Sequence, residues 1–261
     1  MTIWKHELRT GRLSLLIWTA AIAFLLAVCI FIYPEMSVQM EEISDTFSQM
    51  GSFSQAFGMD QINFGEFIGF FGVECGNVLG LGGALYAALI GISALAKEEK
   101  EHTAEFLLTH PVGRLRVLAE KLAAIGTQLF LLNGFVIMIT ALSIILIGET
   151  PDVSTMLLLF LAYFILQLET AAICFGLSAF LHRGSMGLGL GVAGIFYILN
   201  LIANLTEEAA CLKYLTPFGY AEGTNIIADG SLNGAYLAVG ILLAATGIFV
   251  AFFRYSKKDI V

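Results

Sequence analysis

The sequence predicts an all-α, polytopic membrane protein with six transmembrane helices, and three observations carry that prediction. The first is composition: hydrophobic residues make up 58% of the 261-residue chain and charged residues only 13%, with a mean hydropathy of +0.85. A soluble domain carries about a quarter charged residues, and so few charges would not clothe a soluble globule of this size. The second is patterning, because the apolar residues fall into uninterrupted runs of about 20, the length a helix needs to cross a bilayer. The third is the distribution of Lys and Arg, which collect on one side of those runs. Disorder is excluded by the amount of apolar surface, and a membrane β-barrel by the lack of short alternating segments.

The elements follow in order. Residues 1–12 mix Ile3, Trp4 and Leu8 with Lys5, His6, Glu7, Arg9 and Arg12. That mixture predicts an N-terminal interfacial helix anchored by Trp4. The spans are Leu13–Tyr33, Phe67–Leu95, Leu122–Ile147, Met156–Leu181, Met186–Leu205 and Leu232–Phe253. Each must be helical, because backbone polar groups inside lipid need internal partners. The second and third exceed the bilayer requirement, so they tilt or protrude. The fourth and fifth are separated only by the short segment His182–Ser185. The first span contains a lipoprotein-like Leu26-Ala27-Val28-Cys29, but its apolar run is too long for a signal-peptide core and continues past Cys29, so it is read as a retained span.

With six spans both termini share one side, and 12 of the 13 basic residues fall there, only Lys213 lying opposite. The positive-inside rule makes both termini cytoplasmic, in the cell membrane. Twelve acids lie on the outer side, so the net charge of −8 averages two unlike faces. Neither face has the basic footprint of a nucleic-acid binder. Cys29, Cys75, Cys174 and Cys211 are scattered without a CxxC, which argues against a disulfide framework or zinc site. Met36, Met40, Met50 and Met59 in the outer loop 34–66 suit an amphipathic interfacial helix better than a soft-metal site, and no metal is expected.

Polar residues inside the spans are candidates for a translocation path, since a carboxylate at membrane depth is costly unless it faces protein or a wet cavity. These are Glu169 with Gln167 in span four, and Glu74 with Asn77 nearer the outer end of span two. The alternative is a protonated carboxyl hydrogen-bonded to a neighbouring helix. Span two carries Gly72, Gly76, Gly80, Ala84 and Ala88 at four-residue spacing, and span five is rich in glycine at 184, 187, 189, 191 and 194. Such ridges let helices approach closely, within the chain or across a dimer seam.

The densest charge lies in the segment 96–121 between spans two and three. Glu and Lys alternate from Lys97 to Glu101, then Phe106, Leu107 and Leu108 follow, and His110-Pro111-Val112-Gly113 breaks the chain before a helix carrying Arg114, Arg116, Glu120 and Lys121. On physical grounds this is either a short apolar helix docking in a groove of another protein or an ordinary charged loop.

The same segment resembles the cytoplasmic signature of ABC-2-type ABC transporter permeases. That signature runs as an acidic cluster, Gly-Thr, Glu, an apolar residue, Leu-Leu, a small residue, Pro, Arg and a later Lys. Glu99, Glu101, Thr103, Glu105, Leu107, Leu108, Pro111, Arg114 and Lys121 stand at those places, with His102 where the family usually has Gly. Leu212-Lys213-Tyr214-Leu215-Thr216-Pro217-Phe218-Gly219-Tyr220 in the last outer loop is similar to the family's Leu-Ser-Pro-Phe run, with Thr216 in place of Ser. The resemblance implies that 96–121 holds a coupling helix that docks on a separate ABC ATPase subunit. Phe106 and Leu107 would be its apolar anchors, and Glu99, Glu105 and Arg114 would set docking geometry. It further implies two ATPase copies and a second permease chain, identical or homologous; dimer contacts in the family often involve spans one and five, which favours span five over span two as a seam.

No Gly-x4-Gly-Lys-Ser/Thr and no Gly-Lys dipeptide occurs, so no cofactor is expected on this chain, and ATP with Mg would sit on the partner. The expected function is the permease of an ATP-driven exporter. The alternatives are a non-transporting scaffold or sensor partner of an ATPase, and an intramembrane enzyme. The last is disfavoured because His6, His102, His110 and His182 all fall outside the spans, and no span carries paired acids four residues apart.

Overall fold

The computed structural model describes residues 2–49, 66–100, 113–181 and 186–257, and these are predominantly helical, with no strand among them. Among the described residues, six helices are long and apolar enough to cross a membrane. The first is α1 (Thr2–Gln49). The second crossing is α2 (Phe67–Cys75), a π-helical turn (Gly76–Leu81) and α3 (Gly82–Lys100), stacked end to end. Then come α4 (Arg114–Ile147), α5 (Val153–Ser178) and α6 (Met186–Leu205). Two 3₁₀ turns (Glu207–Leu215 and Pro217–Tyr220) and the short α7 (Gly223–Asp229) lead to α8 (Gly234–Lys257). The junction 182–185 lies outside the described residues.

The N-terminal segment and span one, read from the sequence as two pieces, form a single helix. Its first turns are pinned to α4. Glu120 accepts hydrogen bonds from the Ile3 and Trp4 amides at 3.1 and 3.2 Å, and the Trp4 indole donates to Thr127 Oγ1 at 3.1 Å. A helix start leaves its first amides without partners, and here a carboxylate 116 residues away satisfies two of them. Lys121, only 2% exposed, donates to Glu7 Oε1 and to the Ala94 carbonyl, both at 2.7 Å. One ammonium thus ties α1, α3 and α4 together at the end of the bundle that carries the basic residues. Arg114 Nη1 reaches the Tyr255 carbonyl at 3.5 Å and adds the end of α8 to the same level.

Helix α5 is the most enclosed of the six and packs chiefly against α3 and α8. Small residues permit both contacts. On the α3 side, Gly76 and Gly80 lie against the Tyr163 ring, and Gly91 lies against the α5 backbone at Ala171. On the α8 side, Gly176 and Gly247 meet backbone to backbone, and a Cβ at Gly176 would fall 2.7 Å from both the α carbon and the carbonyl oxygen of Gly247. Gly176→Val is therefore expected to push α8 off α5 and to destabilise the fold by about 1–3 kcal/mol, read as a lower thermal midpoint in detergent. The span-two glycine ridge is consequently used within the chain. In α6, Gly189 packs on Ala88 and Ile92, whereas Gly191 and Gly194 face open space.

The N-terminus of α5 is capped by Asp152, whose carboxylate accepts from the hydroxyls of Thr155 (2.6 Å) and Ser154 (2.7 Å) and from both of their amides. The Thr155 and Ser154 hydroxyls, then the amides, hold this carboxyl well below the usual carboxylate range. Its contribution is thus fully present above the unfolded pKa of about 3.9 and is lost as pH falls through the depressed folded value. Wild type should hold its melting midpoint down to about pH 4 and lose this increment only in stronger acid. Asp152→Ala should show the loss at every pH.

The largest departure from the sequence reading is the segment between α6 and α8. The sequence places it in the last outer loop, outside the spans, yet Thr216, Pro217, Phe218, Gly219 and Tyr220 are buried. The chain re-enters the bundle: Thr216 Oγ1 donates to the Phe196 carbonyl at 2.9 Å, the Phe218 ring stacks edge-on to Tyr197 at 5.5 Å, and Gly223 lies directly on the Gly72 backbone. Non-helical backbone at such depth is tolerated where protein surrounds it.

Candidate functional site

The sequence nominated two groups of residues. Of the coupling group, Glu101, Thr103, Glu105, Phe106, Leu107, Leu108 and Pro111 lie outside the described residues. Glu99 is in the last turn of α3, and Arg114 opens α4 beside the end of α8. The described residues on either side of that segment, the end of α3 and the start of α4, lie at the end of the bundle that carries the Lys121 clamp.

The four intramembrane candidates are not brought together. Glu74 accepts from the Cys29 thiol at 3.6 Å, on the side facing α1. Asn77, in the π-helical turn, accepts from the Tyr197 hydroxyl at 2.9 Å and lines a polar cavity of about 50 Å³ with Asn200, Asn204 and Glu222. Gln167 is fully buried on the α4 side of α5, where it accepts from Asn133 Nδ2 at 2.6 Å and its amide faces the Leu79 carbonyl at 3.5 Å. That carbonyl belongs to the π-helical turn, where the widened hydrogen-bond pattern makes backbone oxygens available. Gly83 makes room for the Gln167 side chain.

Glu169 lies two residues on and faces elsewhere. It is 3% exposed, sits against Gly240 of α8, and accepts from the Tyr220 hydroxyl at 2.8 Å through Oε2. Its Oε1 has no hydrogen-bond partner among the described residues. A side chain at position 240 would occupy the space of the carboxylate, so Gly240 is what allows an acid at this depth.

Sequence reasoning missed the groups that hold these residues in place. Tyr220 stood at the end of a quoted motif, but nothing local says that its hydroxyl reaches a carboxylate 51 residues away. Glu222 anchors the re-entrant segment, accepting from Lys213 Nζ at 2.9 Å, Asn225 Nδ2 at 2.8 Å and Asn204 Nδ2. This explains the one basic residue on the acidic side: Lys213 is part of an internal clamp.

A buried carboxylate among apolar helices and a small cavity lined by Asn77, Asn200, Asn204 and Glu222 beside a re-entrant segment fit a membrane-transport architecture, but geometry alone names no family. Comparison with family models matches residues 1–260 to the model described as ABC-2 family transporter protein. A search among curated proteins returned no match.

Proposed function

The chain belongs to the ABC-2 family of transporter proteins, and from that premise we propose that it is the permease of an ATP-driven exporter, energised through the segment 96–121. It is a multi-pass membrane protein of the ABC transporter class, a transporter subunit rather than an enzyme, and the family works with ABC ATPase subunits. The observation that carries the proposal is the match over nearly the whole chain, coupled with a signature segment that joins α3 to α4 at the basic end.

In this reading ATP and Mg bind two copies of a separate ATPase, whose closure pushes on Glu101–Leu108. The thrust enters α3 and α4 through the Lys121 clamp. Above α3 the π-helical turn interrupts the regular helix between residues 76 and 81. Motion of α3 there works against α2, which is held by Gly72 on the re-entrant segment. Such turns are common at functional positions in helices. The open glycine face of α6 at Gly191 and Gly194 suits a second permease copy, with substrate moving outward between the bundles. Both termini are then cytoplasmic. Glu169, Gln167, Glu74 and Asn77 are candidate polar contacts along the route, Glu169 the foremost.

The test is purification of the tagged chain from its own membranes. An ATP-hydrolysing subunit should accompany it in stoichiometric amount, and Glu169→Gln should impair export without loss of that subunit. A chain that runs without an ATPase would refute the reading.

A further inference from the structure

Glu169 lines a second feature that the proposed mechanism does not use. Between α4 and α8, with α5 as its floor, lies an open groove with a cavity of about 380 Å³. Small-molecule sites span about 300–1,000 Å³. Its walls are apolar: Leu122 and Ile125 from α4, Leu168 and Ala172 from α5, Ile241 and Ala245 from α8. Glu169 is the one ionisable residue among those lining it. Ile241 and Ala245 are exposed on the rim, so the groove opens sideways, toward lipid in a membrane.

The carboxylate is half-satisfied. Tyr220 holds Oε2, while Oε1 is buried with no hydrogen-bond partner among the described residues. An unpaired acceptor costs free energy, and an uncompensated charge in a poorly hydrated site costs more. Lys121, one residue before Leu122 of the α4 wall, does not line the groove and is engaged by Glu7 and the Ala94 carbonyl. A lipid acyl chain would cover the walls but leave Oε1 unpaired. A bare metal ion would find a single carboxylate, and the described residues contain no cluster of three or more metal-ligating side chains. An organic cation with an apolar body satisfies both walls and carboxylate.

We propose that this groove binds a hydrophobic cation entering from the lipid, with the Glu169 carboxylate as its counter-charge and the α4–α8 walls around its apolar body. Taking that ligand as cargo rests on the exporter reading above; the binding itself does not.

The probe is radiolabelled tetraphenylphosphonium, with tetraphenylborate as an anion of the same shape. Both are titrated without ATP against the full chain, with its ATPase partner where one co-purifies, in lipid nanodiscs. Saturable binding of the cation is expected, weakened at least tenfold by Glu169→Gln and by Ala245→Trp, with no saturable binding of the anion. Ala245→Trp fills the groove from its exposed rim and keeps Glu169 in place, and it decides the matter if Glu169→Gln fails to fold. Wild-type affinity in folded Ala245→Trp or Glu169→Gln, or equal binding of the borate, would overturn the proposal. Binding as described without ATP-driven movement of the cation in vesicles would uphold the site and overturn its role for cargo. Absence of an ATPase partner would strike at the exporter reading and leave the binding result standing.

Discussion

Phe106→Asp combined with Leu107→Asp is expected to detach the permease from its ATPase. Both residues are large and apolar, and they lie between charged flanks in a segment that emerges from the basic end. Interface anchors of this kind are usually worth about 2 kcal/mol or more each, which is about 30-fold in affinity per residue. A carboxylate placed in the docking cleft adds the cost of burying an unpaired charge. Two substitutions should therefore remove co-purification altogether. Glu99→Gln or Glu105→Gln should act more gently, slowing association and changing its salt dependence, because rim charges mainly govern encounter and register. Sedimentation of the purified pair at several salt concentrations checks both. The melting midpoint of the double variant should stay within a degree or two of wild type, separating loss of docking from loss of folding.

Glu7→Ala should damage the bundle instead. Lys121 is almost completely enclosed and its ammonium has Glu7 and the Ala94 carbonyl as partners at 2.7 Å. Removing one partner of a buried ion pair costs about 3–5 kcal/mol, because the remaining charge is left in a medium that solvates it poorly. Replacing both with apolar residues of similar size, Glu7→Leu with Lys121→Met, should recover most of that loss. The single variant should melt earlier, and amides at the start of α1 should exchange faster. The double variant should fold well yet transmit nucleotide-driven motion poorly, since the link between α1, α3 and α4 at the level of the coupling segment is gone. Recovery of stability together with full transport would show that the clamp only holds the fold.

Much of the architecture was legible because membrane spanning is imposed by a uniform solvent. The six apolar runs correspond to six helices long and apolar enough to cross a membrane. Helices run beyond the apolar stretches where α1 reaches Gln49 and α4 starts at Arg114. The lipid pattern ends there but the backbone hydrogen bonding does not. The re-entrant segment was illegible for the opposite reason. Residues 206–233 contain Lys213, Glu222, Asn225 and Gly223 and read as an outer loop, but their polar groups satisfy one another, so the segment can sink among helices. Gly240 was equally silent. A lone glycine in an apolar helix signals nothing until Glu169 is seen to occupy the place of its missing side chain. The candidates Glu74, Asn77, Gln167 and Glu169 were found by their cost in lipid, whereas their assignment to separate faces needed three dimensions.

Hydrogen–deuterium exchange on the permease–ATPase complex, with and without ATP plus vanadate, tests the central claim most directly. If ATP hydrolysed on another chain drives these helices, trapping the nucleotide must alter exchange far from the docking segment. The account predicts changes in the π-helical turn 76–81 and in the re-entrant segment 216–229, at the opposite end of the bundle from Arg114. Changes confined to residues around 96–121, with the rest of the chain exchanging as before, would contradict it and leave a protein that binds an ATPase without being moved by it.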